Sequence, residues 1–360
     1  MSYRIPIGPY HPALEEPYKL DLVCEGETVK EAVLHVGFNF RGIEFLAERR
    51  NYFQAITLVE RVCGICSNVH SLTFCLAVEK LANLTPPDRA LYIRMIVSEL
   101  ERLHSHILWA GIAAKLMGFK TMFMSCFAIR EKVMDALEVI SGNRVNYGMN
   151  CFGGVNRDIT DPQAVLDIVA ILEKEITREI IPVFTTDKTV ESRCAGIGVL
   201  TNQQAVSMGI LGPLARASGV DKDLRRDAPY LAYDRMEFSV PVLQDGDVRA
   251  RVVVRALEML ESCRILRQAL TTMPAGAFKG PDPVRVKVPA GNALARIEAP
   301  RGEVFYSVTS NGTDTPARVR VRTPTFMNMP TMRYSVLGAE LADAPLIQAS
   351  IDPCYSCTDR

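Results

Sequence analysis

The sequence predicts an α+β fold that is mostly α, in which a central helix bundle joins an N-terminal β-hairpin region to a C-terminal loop and strand region. Two β-prone runs flank a short glycine-containing turn within residues 18–36. Apolar residues recur at helical spacing through the middle of the chain, and proline and glycine become frequent after Met273. We therefore expect a single domain over 1–360, comprising an N-terminal β region (1–45), a helical body (46–272) and a strand and loop closure (273–360).

The individual elements follow from local patterns. After the hairpin, a helical pattern extends to about Val62. Pro86-Pro87 separates two longer helices, and Asp88 is a favourable acid in the first turn of the second. The predicted helices of the body cover 66–83, 88–117, 130–141, 161–180, 201–217 and 247–272. Short strands are predicted at 284–288, 304–308 and 319–321.

Composition and charge exclude several classes of protein. The 360 residues carry 41 Lys and Arg against 41 Asp and Glu, and this balance argues against a nucleic-acid-binding protein. With 48% hydrophobic and 23% charged residues, the chain is typical of globular proteins rather than disordered ones or coiled coils. No stretch is long and apolar enough to span a membrane, and the first residues lack the apolar core of a signal peptide. We therefore expect a cytoplasmic protein that reaches a membrane only through partner subunits.

Two cysteine pairs with the same spacing stand far apart in the chain. The first is Arg61-Val62-Cys63-Gly64-Ile65-Cys66, and the second is Cys354-Tyr355-Ser356-Cys357. A Cys-x-x-Cys spacing lets two sulfurs converge on one metal ion, because a tight turn or helix start directs both side chains the same way. Two such pairs supply four thiolates, so the sequence predicts a sulfur-rich metal site.

Other interpretations of the two pairs remain open at this point. A structural zinc site also uses four thiolates, but the pairs lie about 290 residues apart, whereas zinc ribbons place theirs about 15–20 residues apart. A thioredoxin-like redox pair would require a strand-to-helix step in a βαβ pattern, which neither pair has. An iron–sulfur cluster also fits four thiolates, although its ligands usually lie in one segment.

The motifs around these cysteines resemble those of the large, catalytic subunit of nickel–iron (NiFe) hydrogenases. Arg-x-Cys-Gly-x-Cys-x-x-x-His near the start and Asp-Pro-Cys-x-x-Cys-x-x-Arg at the end carry the resemblance. Further motifs resemble the group 4, energy-converting, membrane-bound branch, which is related to the 49-kDa core subunit of respiratory complex I. These motifs are Gly8-Pro9-Tyr10-His11-Pro12, Arg41-Gly42-Ile43-Glu44, Ala299-Pro300-Arg301-Gly302 and Arg322-Thr323-Pro324-Thr325.

The resemblance implies the NiFe hydrogenase large-subunit fold and a Ni–Fe centre with CO and cyanide ligands on the iron. By motif position, Cys63 and Cys354 would be terminal nickel ligands, and Cys66 and Cys357 would bridge nickel and iron. Soft thiolate ligands suit such metals. A terminal thiolate could also accept a proton.

The resemblance also implies roles for residues around the metals. Glu15 would relay protons, with Glu16 as the second candidate, and a buried carboxyl group with a raised pKa suits that task. Arg301, next to Pro300, would lie over the open metal face and donate to cyanide, and Thr325 would do likewise. In addition, Asp352 would pair with and orient Arg301, and His70 would donate to a bridging sulfur.

Three further groups of residues have less specific interpretations. Glu44 corresponds to a magnesium ligand of soluble relatives, but Arg360 stands where those relatives have a histidine. The alternatives for Glu44 are therefore a magnesium site and an ion pair with Arg360. His104 and His106 are expected in the core or at an interface, and Ser105 between them departs from the aspartate common in soluble relatives. The cysteines without paired spacing are expected to be small buried apolar residues, namely Cys24, Cys75, Cys126, Cys151, Cys194 and Cys263.

The function implied by the resemblance is that of a catalytic subunit in a multisubunit, ferredoxin-linked hydrogenase of the Ech-like or CO-induced type. It would interconvert H2 with protons and electrons, mainly evolving H2, and would be coupled to ion translocation. The implied partners are a small subunit with a 4Fe–4S cluster, a ferredoxin-like subunit and integral membrane ion-translocating subunits, so that iron–sulfur clusters lie in partners only. The protein would then lie peripherally on the inner face of the cell membrane. Two alternatives remain, a quinone-reductase core subunit without nickel and a structural zinc protein.

Overall fold

The computed structural model describes residues 2–12, 14, 16–280 and 288–360. Small antiparallel sheets lie beside a predominantly helical body, so the predicted α+β, mostly α class is confirmed. None of the described helices is long and apolar enough to cross a membrane. The strands are β1 (Ser2–Ile7), β2 (Lys19–Glu25), β3 (Thr28–His35), β4 (Asn150–Cys151), β5 (Gly154–Val155), β6 (Gly291–Ala299), β7 (Gly302–Ser310) and β8 (Arg318–Arg322).

The helices begin near the end of the first sheet and continue to the C-terminal cysteine pair. A π-helical turn, Ile176–Ile180, joins two of them, and short 3-10 turns lie at Tyr233–Arg235 and Leu341–Asp343. The α-helices are α1 (Ile43–Ala47), α2 (Tyr52–Glu60), α3 (Ser67–Ala82), α4 (Asp88–Leu116), α5 (Lys120–Ser141), α6 (Pro162–Glu175), α7 (Ile181–Thr186), α8 (Lys188–Cys194), α9 (Asn202–Met208), α10 (Gly212–Arg216), α11 (Leu224–Asp227), α12 (Val248–Thr272), α13 (Pro324–Asn328), α14 (Pro330–Ser335), α15 (Ala344–Ser350) and α16 (Tyr355–Asp359).

The N-terminal sheet has the order β1-β2-β3, and β2 with β3 form the hairpin that the sequence predicts. The outer strand β1 is not predicted by the sequence, because its alternation is weak and most of its residues are exposed. In the C-terminal sheet, β6-β7-β8, the expected strands 304–308 and 319–321 fall within β7 and β8. Of the strand expected at 284–288, residues 284–287 lie outside the described part of the chain.

Helix predictions hold where a helix has a clear apolar stripe or stop signal. The helices predicted at 66–83, 88–117 and 247–272 are confirmed as α3, α4 and α12. The start predicted at 130 is wrong, because α5 begins at Lys120, immediately after a turn at Gly118 with φ 84°. The single helix predicted at 201–217 is also wrong. Gly209, at φ 64°, ends α9, and α10 starts afresh three residues later.

Two cores meet at the cysteine pairs. The larger core is formed mainly by α4, α5, α6 and α12 with the N-terminal sheet. The smaller core lies between α2, α3 and the inner face of β6-β7-β8, where Ile297, Val304 and Val308 are fully or almost fully buried. All four cysteines of the two pairs belong to this smaller core, so the fold buries the predicted metal ligands between α3 and the C-terminal sheet.

Candidate metal centre

The four cysteines of the two pairs converge in one buried cluster. The Sγ atoms of Cys63 and Cys354 lie 3.6 Å apart, and those of Cys66 and Cys357 lie 3.3 Å apart. Within the C-terminal pair, the sulfurs of Cys354 and Cys357 are 3.1 Å apart. All four are free thiols that are at most 4% exposed. Thiolates around one tetrahedral metal ion would be separated by about 3.8 Å, so this cluster has the dimensions of a metal site.

Each pair is placed at the start of a helix. Cys63 lies in the turn after α2, and its sulfur accepts hydrogen bonds from the N–H groups of Ile65 and Cys66, each at 3.3 Å. Cys66 precedes the first residue of α3, and Cys354 precedes the first residue of α16. The positive end of the long helix α3 therefore lies beside Cys66. Hydrogen bonds from the other three thiols lower the pKa of Cys63, whereas hydrogen bonds among the thiols and burial raise the pKa of Cys66, Cys354 and Cys357.

One arginine joins the two cysteine segments directly. The Arg41 guanidinium donates to the carbonyl oxygen of Val62 at 2.7 Å and to that of Ser356 at 2.8 Å. The N–H groups of Gly37 and Asn39 donate to the Asp359 carboxylate at 3.0 and 2.9 Å. The loop after β3 thus holds the C-terminal pair against the N-terminal pair, even though the two are far apart in sequence.

Arg301 lines a pocket together with Cys66 and Cys357, and Asp352 orients its guanidinium. Its Nη2 contacts Asp352 Oδ1 at 2.7 Å, its Nε donates to the Asp352 carbonyl oxygen at 3.0 Å, and its Nη1 donates to Ser105 Oγ at 3.1 Å. Asp352 has φ 58°, and this uncommon conformation lets its side chain and carbonyl face the same guanidinium. Three of the five guanidinium N–H groups have these partners, so the others could donate to a ligand.

The loop that carries Arg301 is itself fixed from both sides. Arg102, on α4, donates to the carbonyl oxygens of Glu298 and Ala299 at 2.6 and 3.1 Å. Gly302 has φ 125°, and a Cβ atom there would lie 2.8 Å from the backbone nitrogen of Gly212. A glycine is therefore required directly after Arg301, both for backbone conformation and for this close approach.

Beside the sulfurs is a small pocket with polar and apolar walls. Pro300, Arg301 and Thr325 line it together with Cys66 and Cys357. The Thr325 hydroxyl oxygen accepts a hydrogen bond from the N–H of Cys354 at 3.0 Å, so its own hydrogen is free to donate elsewhere.

His70 is held between the sulfur cluster and a tyrosine. Its Nε2 lies 3.4 Å from Cys357 Sγ, and its Nδ1 lies 2.8 Å from Tyr306 Oη. Burial lowers the pKa of His70 to about 4, so the ring is neutral at pH 7 and donates through one nitrogen only. With its proton on Nε2, His70 donates to the sulfur while Tyr306 donates to Nδ1.

Glu16 is the carboxylate that reaches the cluster in the described structure. Its Oε1 lies 3.7 Å from Cys354 Sγ, and its other oxygen accepts from the N–H of Tyr355 and, at 2.9 Å, from that of Ser356. Burial raises the pKa of Glu16 despite these hydrogen bonds. Glu15, the first candidate from the sequence, lies outside the described residues.

Glu44 is surrounded by cationic partners. Arg360 Nε donates to Glu44 Oε1 at 2.9 Å, and Arg320 donates to Oε2 at 2.9 Å. The N–H of Val321 also donates to Oε1, at 2.8 Å. Of the two alternatives for Glu44, this geometry matches the ion pair with Arg360.

The remaining histidines and cysteines lie away from this cluster of contacts. His106 Nε2 is 2.9 Å from Glu258 Oε2, and His104 contacts Arg130. In the part of the chain that the structure describes, three or more potential metal ligands lie within 4.8 Å of one another only at Cys63, Cys66 and Cys357, and Cys354 adjoins this group. The six cysteines without paired spacing are all buried, and none of them forms a disulfide bond.

Several residues that shape the site are not predicted by the sequence. Ser105 and Tyr306 contact Arg301 and His70, and Glu101 binds the first turn of α3. No short-range pattern marks these residues, because each acts across a long sequence separation. Arg41 does have a signal, since it lies in the Arg-Gly-Ile-Glu motif that carries part of the family resemblance.

The residues present fit a Ni–Fe centre. Four converging thiolates are soft ligands for such metals. Structural zinc sites are closed by their four ligands, whereas here a pocket lined by Arg301 and Thr325 adjoins two of the sulfurs. Both side chains could donate hydrogen bonds to small ligands on a metal held by the cysteines.

Comparison with protein families gives two matches along the chain. The family described as respiratory-chain NADH dehydrogenase, 49 Kd subunit, matches residues 117–287 and 284–360, which include the second cysteine pair. The family described as nickel-dependent hydrogenase matches residues 41–110, which include the first pair.

Individual relatives match along almost their whole length. A carbon monoxide-induced hydrogenase from Rhodospirillum rubrum is 42% identical, over 100% of this chain and 99% of its own. One of the subunits of an NADH-quinone oxidoreductase from Dehalococcoides mccartyi is 38% identical over 100% and 98%. A chain of the archaeal membrane-bound sulfane sulfur reductase, described as a respiratory membrane complex, has a TM-score of 0.95 at 34% identity and covers 100% of this chain and 98% of its own.

Proposed function

We propose that this chain is a hydrogenase catalytic subunit. The premise is that it belongs to the family of group 4 energy-converting, membrane-bound NiFe hydrogenase large subunits and the related 49-kDa subunits of complex I. The proposed reaction interconverts H2 with protons and electrons, mainly in the direction of H2 evolution. The observation that carries the proposal is the convergence of four buried cysteine sulfurs beside Arg301.

The proposed metal ligands are the four cysteines, with Cys63 and Cys354 terminal on nickel and Cys66 and Cys357 bridging nickel and iron. When bound, the Ni–Fe centre with its CO and cyanide ligands would supply the cleavage and formation of H2. Arg301 and Thr325 would hold the ligand face in place by hydrogen bonding, and Asp352 would orient Arg301. His70 would reduce the electron density on Cys357 through its hydrogen bond to the sulfur.

Proton transfer is assigned to the glutamates before the second β-strand. Glu16 reaches Cys354 Sγ and is partly exposed, so it links a proposed terminal ligand to the protein surface. Burial raises the pKa of Glu16, and a carboxyl group with a raised pKa is suited to accepting a proton and releasing it again. Glu15 remains the alternative, and the two residues are distinguished by substitution.

Partner subunits would supply the electrons and would couple the reaction to ion translocation. The cysteines outside the cluster are dispersed, so the described chain brings together no second sulfur site. We therefore propose a small subunit with a 4Fe–4S cluster, a ferredoxin-like donor subunit and integral membrane subunits that translocate ions. Because a related chain is part of a respiratory membrane complex, peripheral attachment to the inner face of the cell membrane is part of the proposal.

A quinone-reductase core subunit is the second candidate. The match to the 49 Kd subunit family over residues 117–287 and 284–360 and the 38% identity to a quinone oxidoreductase chain favour it. The four thiolates favour hydrogenase, since a quinone chamber has no need for buried cysteines within 3.6 Å of each other.

The test is metal analysis and infrared spectroscopy of the purified native complex. The expected result is one nickel and one active-site iron per chain, after cluster iron is subtracted, together with CO and cyanide bands. Zinc in place of nickel, without such bands, would contradict the proposal. Quinone-dependent activity without nickel would instead support the second candidate.

A further inference from the structure

Helix α3 begins directly after a proposed metal ligand, so its first turn has no capping side chain at the usual position. Cys66 occupies the N-cap position but makes no side-chain hydrogen bond to the helix, because its sulfur faces Cys357 Sγ at 3.3 Å. The first N–H groups of a helix have no partner within the helix and need an acceptor from elsewhere. A residue outside α3 must therefore supply the cap.

The acceptor comes from Glu101 on the neighbouring helix α4. Its Oε1 accepts from the N–H of Asn68 at 2.6 Å, and its Oε2 accepts from the N–H of Val69 at 3.1 Å. The Ser67 hydroxyl also lies 3.5 Å from Oε1. These contacts join the two helices at the point where the ligand-bearing turn enters α3.

Glu101 is an unusual residue for this position. Its side chain is fully buried, and it forms no ion pair within the described part of the chain, unlike Glu99, which lies two residues earlier and pairs with Arg102 and Arg225. A buried carboxyl group without a cation is costly unless its oxygens are hydrogen-bonded. The α3 N–H groups satisfy this need, and a carboxyl oxygen accepts them in either protonation state.

We propose that Glu101 is a positioning residue for the metal centre, which caps α3 from α4 so that the sulfur of Cys66 is free to bind metal. This inference rests on the proposed function. The capped turn also carries His70, whose ring contacts Cys357. A shift of this single turn would move both Cys66 and His70 relative to the metal, so Glu101 acts on two contacts at once.

Three variants of the purified complex test the cap. Glu101→Ala removes both acceptor oxygens, whereas Glu101→Gln keeps one of them. Ser98→Ala is the matched control, because Ser98 lies one turn earlier on α4 and accepts from the side chain of Asn68, at 2.9 Å, rather than from the backbone of α3. The readouts are amide hydrogen exchange over residues 67–70, nickel content, and the CO and cyanide infrared bands.

In Glu101→Ala, exchange of the Asn68 and Val69 amides should accelerate about five- to thirtyfold, as expected for the loss of a helix cap. Its infrared bands should shift or broaden, and nickel content should fall. Glu101→Gln should restore nickel retention and much of the amide protection, with a smaller band shift. Ser98→Ala should leave amide exchange at 68–69 and both bands at their wild-type values.

Wild-type exchange rates and unshifted bands in Glu101→Ala would overturn the proposal. If Glu101→Ala does not assemble, comparison of Glu101→Gln with Ser98→Ala decides the question. Equal amide exchange rates at residues 68–69 and equal infrared bands in these two variants would also overturn the proposal. Absence of nickel and CO bands from the wild-type complex would contradict the proposed function alone. Amide exchange would then still test the cap, because it does not depend on the metal.

Discussion

Arg301 and Asp352 form a buried ion pair, with Nη2 and Oδ1 2.7 Å apart, that connects the β6–β7 loop to the second cysteine pair. Asp352 lies two residues before Cys354, so the pair couples the orientation of the guanidinium to the position of a proposed metal ligand. Arg301 also donates to the Asp352 carbonyl oxygen, and this second contact sets the plane of the guanidinium. Such planar, two-point recognition is specific to arginine.

Replacing Arg301 with lysine should therefore preserve assembly and metal content but abolish most H2 evolution. A lysine retains the positive charge but cannot donate in the same plane to Asp352, Ser105 and a metal-bound ligand. We expect a loss of about 100-fold or more in turnover, comparable to removal of one preorganised donor in other active sites. Arg296→Lys, on the exposed side of β6, is the control and should have wild-type activity. Full activity in Arg301→Lys would remove Arg301 from the site.

Substitution of the two adjacent glutamates should identify the proton relay. Glu16→Gln should retain nickel and iron but slow both H2 evolution and H/D exchange, because an amide cannot accept and release a proton near Cys354. We expect a decrease of about 100-fold, typical of general acid–base catalysis. The matched variant is Glu15→Gln. Normal turnover in Glu16→Gln together with slow turnover in Glu15→Gln would assign the relay to Glu15.

Removal of a proposed terminal ligand should prevent nickel retention. In Cys63→Ser or Cys354→Ser the hard hydroxyl oxygen replaces a soft thiolate, and nickel per chain should fall to background. Cys263→Ser, in the core of α12, changes the same atom outside the cluster and should retain nickel. Wild-type nickel content in both ligand variants would contradict the assignment of the site.

Arg360 is expected to exclude a divalent cation from Glu44. In Arg360→His, loss of the guanidinium and gain of an imidazole would leave Glu44 next to a neutral metal ligand, so magnesium in the purified complex should increase. Arg318→His is the control, because Arg318 pairs with Glu48 rather than Glu44. Unchanged magnesium content in Arg360→His would show that Arg360 does not take the place of a metal there.

Much of the fold could be predicted from local sequence patterns. The hairpin of β2 and β3 and the long helices α3, α4 and α12 have clear alternation, apolar stripes or stop signals. Elements without such signals could not be predicted. The exposed strand β1 is stabilised by pairing with β2, and the first half of α5 by packing on α4, and neither interaction has a local signature.

The sequence could predict which residues form the candidate site, but not which partners these residues contact. The cysteine spacing and motifs identify the groups that the structure brings together, including Arg301, Asp352, Thr325 and His70. The supporting residues were not predictable, because their roles depend on distant partners. Tyr306 reaches His70 across 236 positions, and Ser105 reaches Arg301 across 196. A single sequence carries no information on such pairings, which arise only when the two cores pack.

The Glu44 cluster should make the stability of this region dependent on pH. Burial raises the pKa of Glu44, but the hydrogen bond from Val321 and the pairs with Arg360 and Arg320 outweigh this effect and lower it below 4.5. A group with a depressed native pKa stabilises the fold above its unfolded pKa, and that stabilisation is lost as pH falls through the native value. Glu44→Gln should therefore lower the free energy of unfolding at pH 7 by about 1 kcal/mol. The thermal midpoint of the complex should fall accordingly.

This difference between wild type and Glu44→Gln should shrink as the pH is lowered below 4.5, because Glu44 of the unfolded chain then binds a proton and the native carboxylate follows at lower pH. Denaturation of both complexes, followed from pH 7 to the lowest pH at which they remain assembled, measures it. Glu48→Gln is the control, since Glu48 pairs with the half-exposed Arg318 at the rim of the same sheet and an exposed pair contributes little. A Glu44→Gln difference that stays constant over this range would mean that the ionised carboxylate is not the source of the stabilisation.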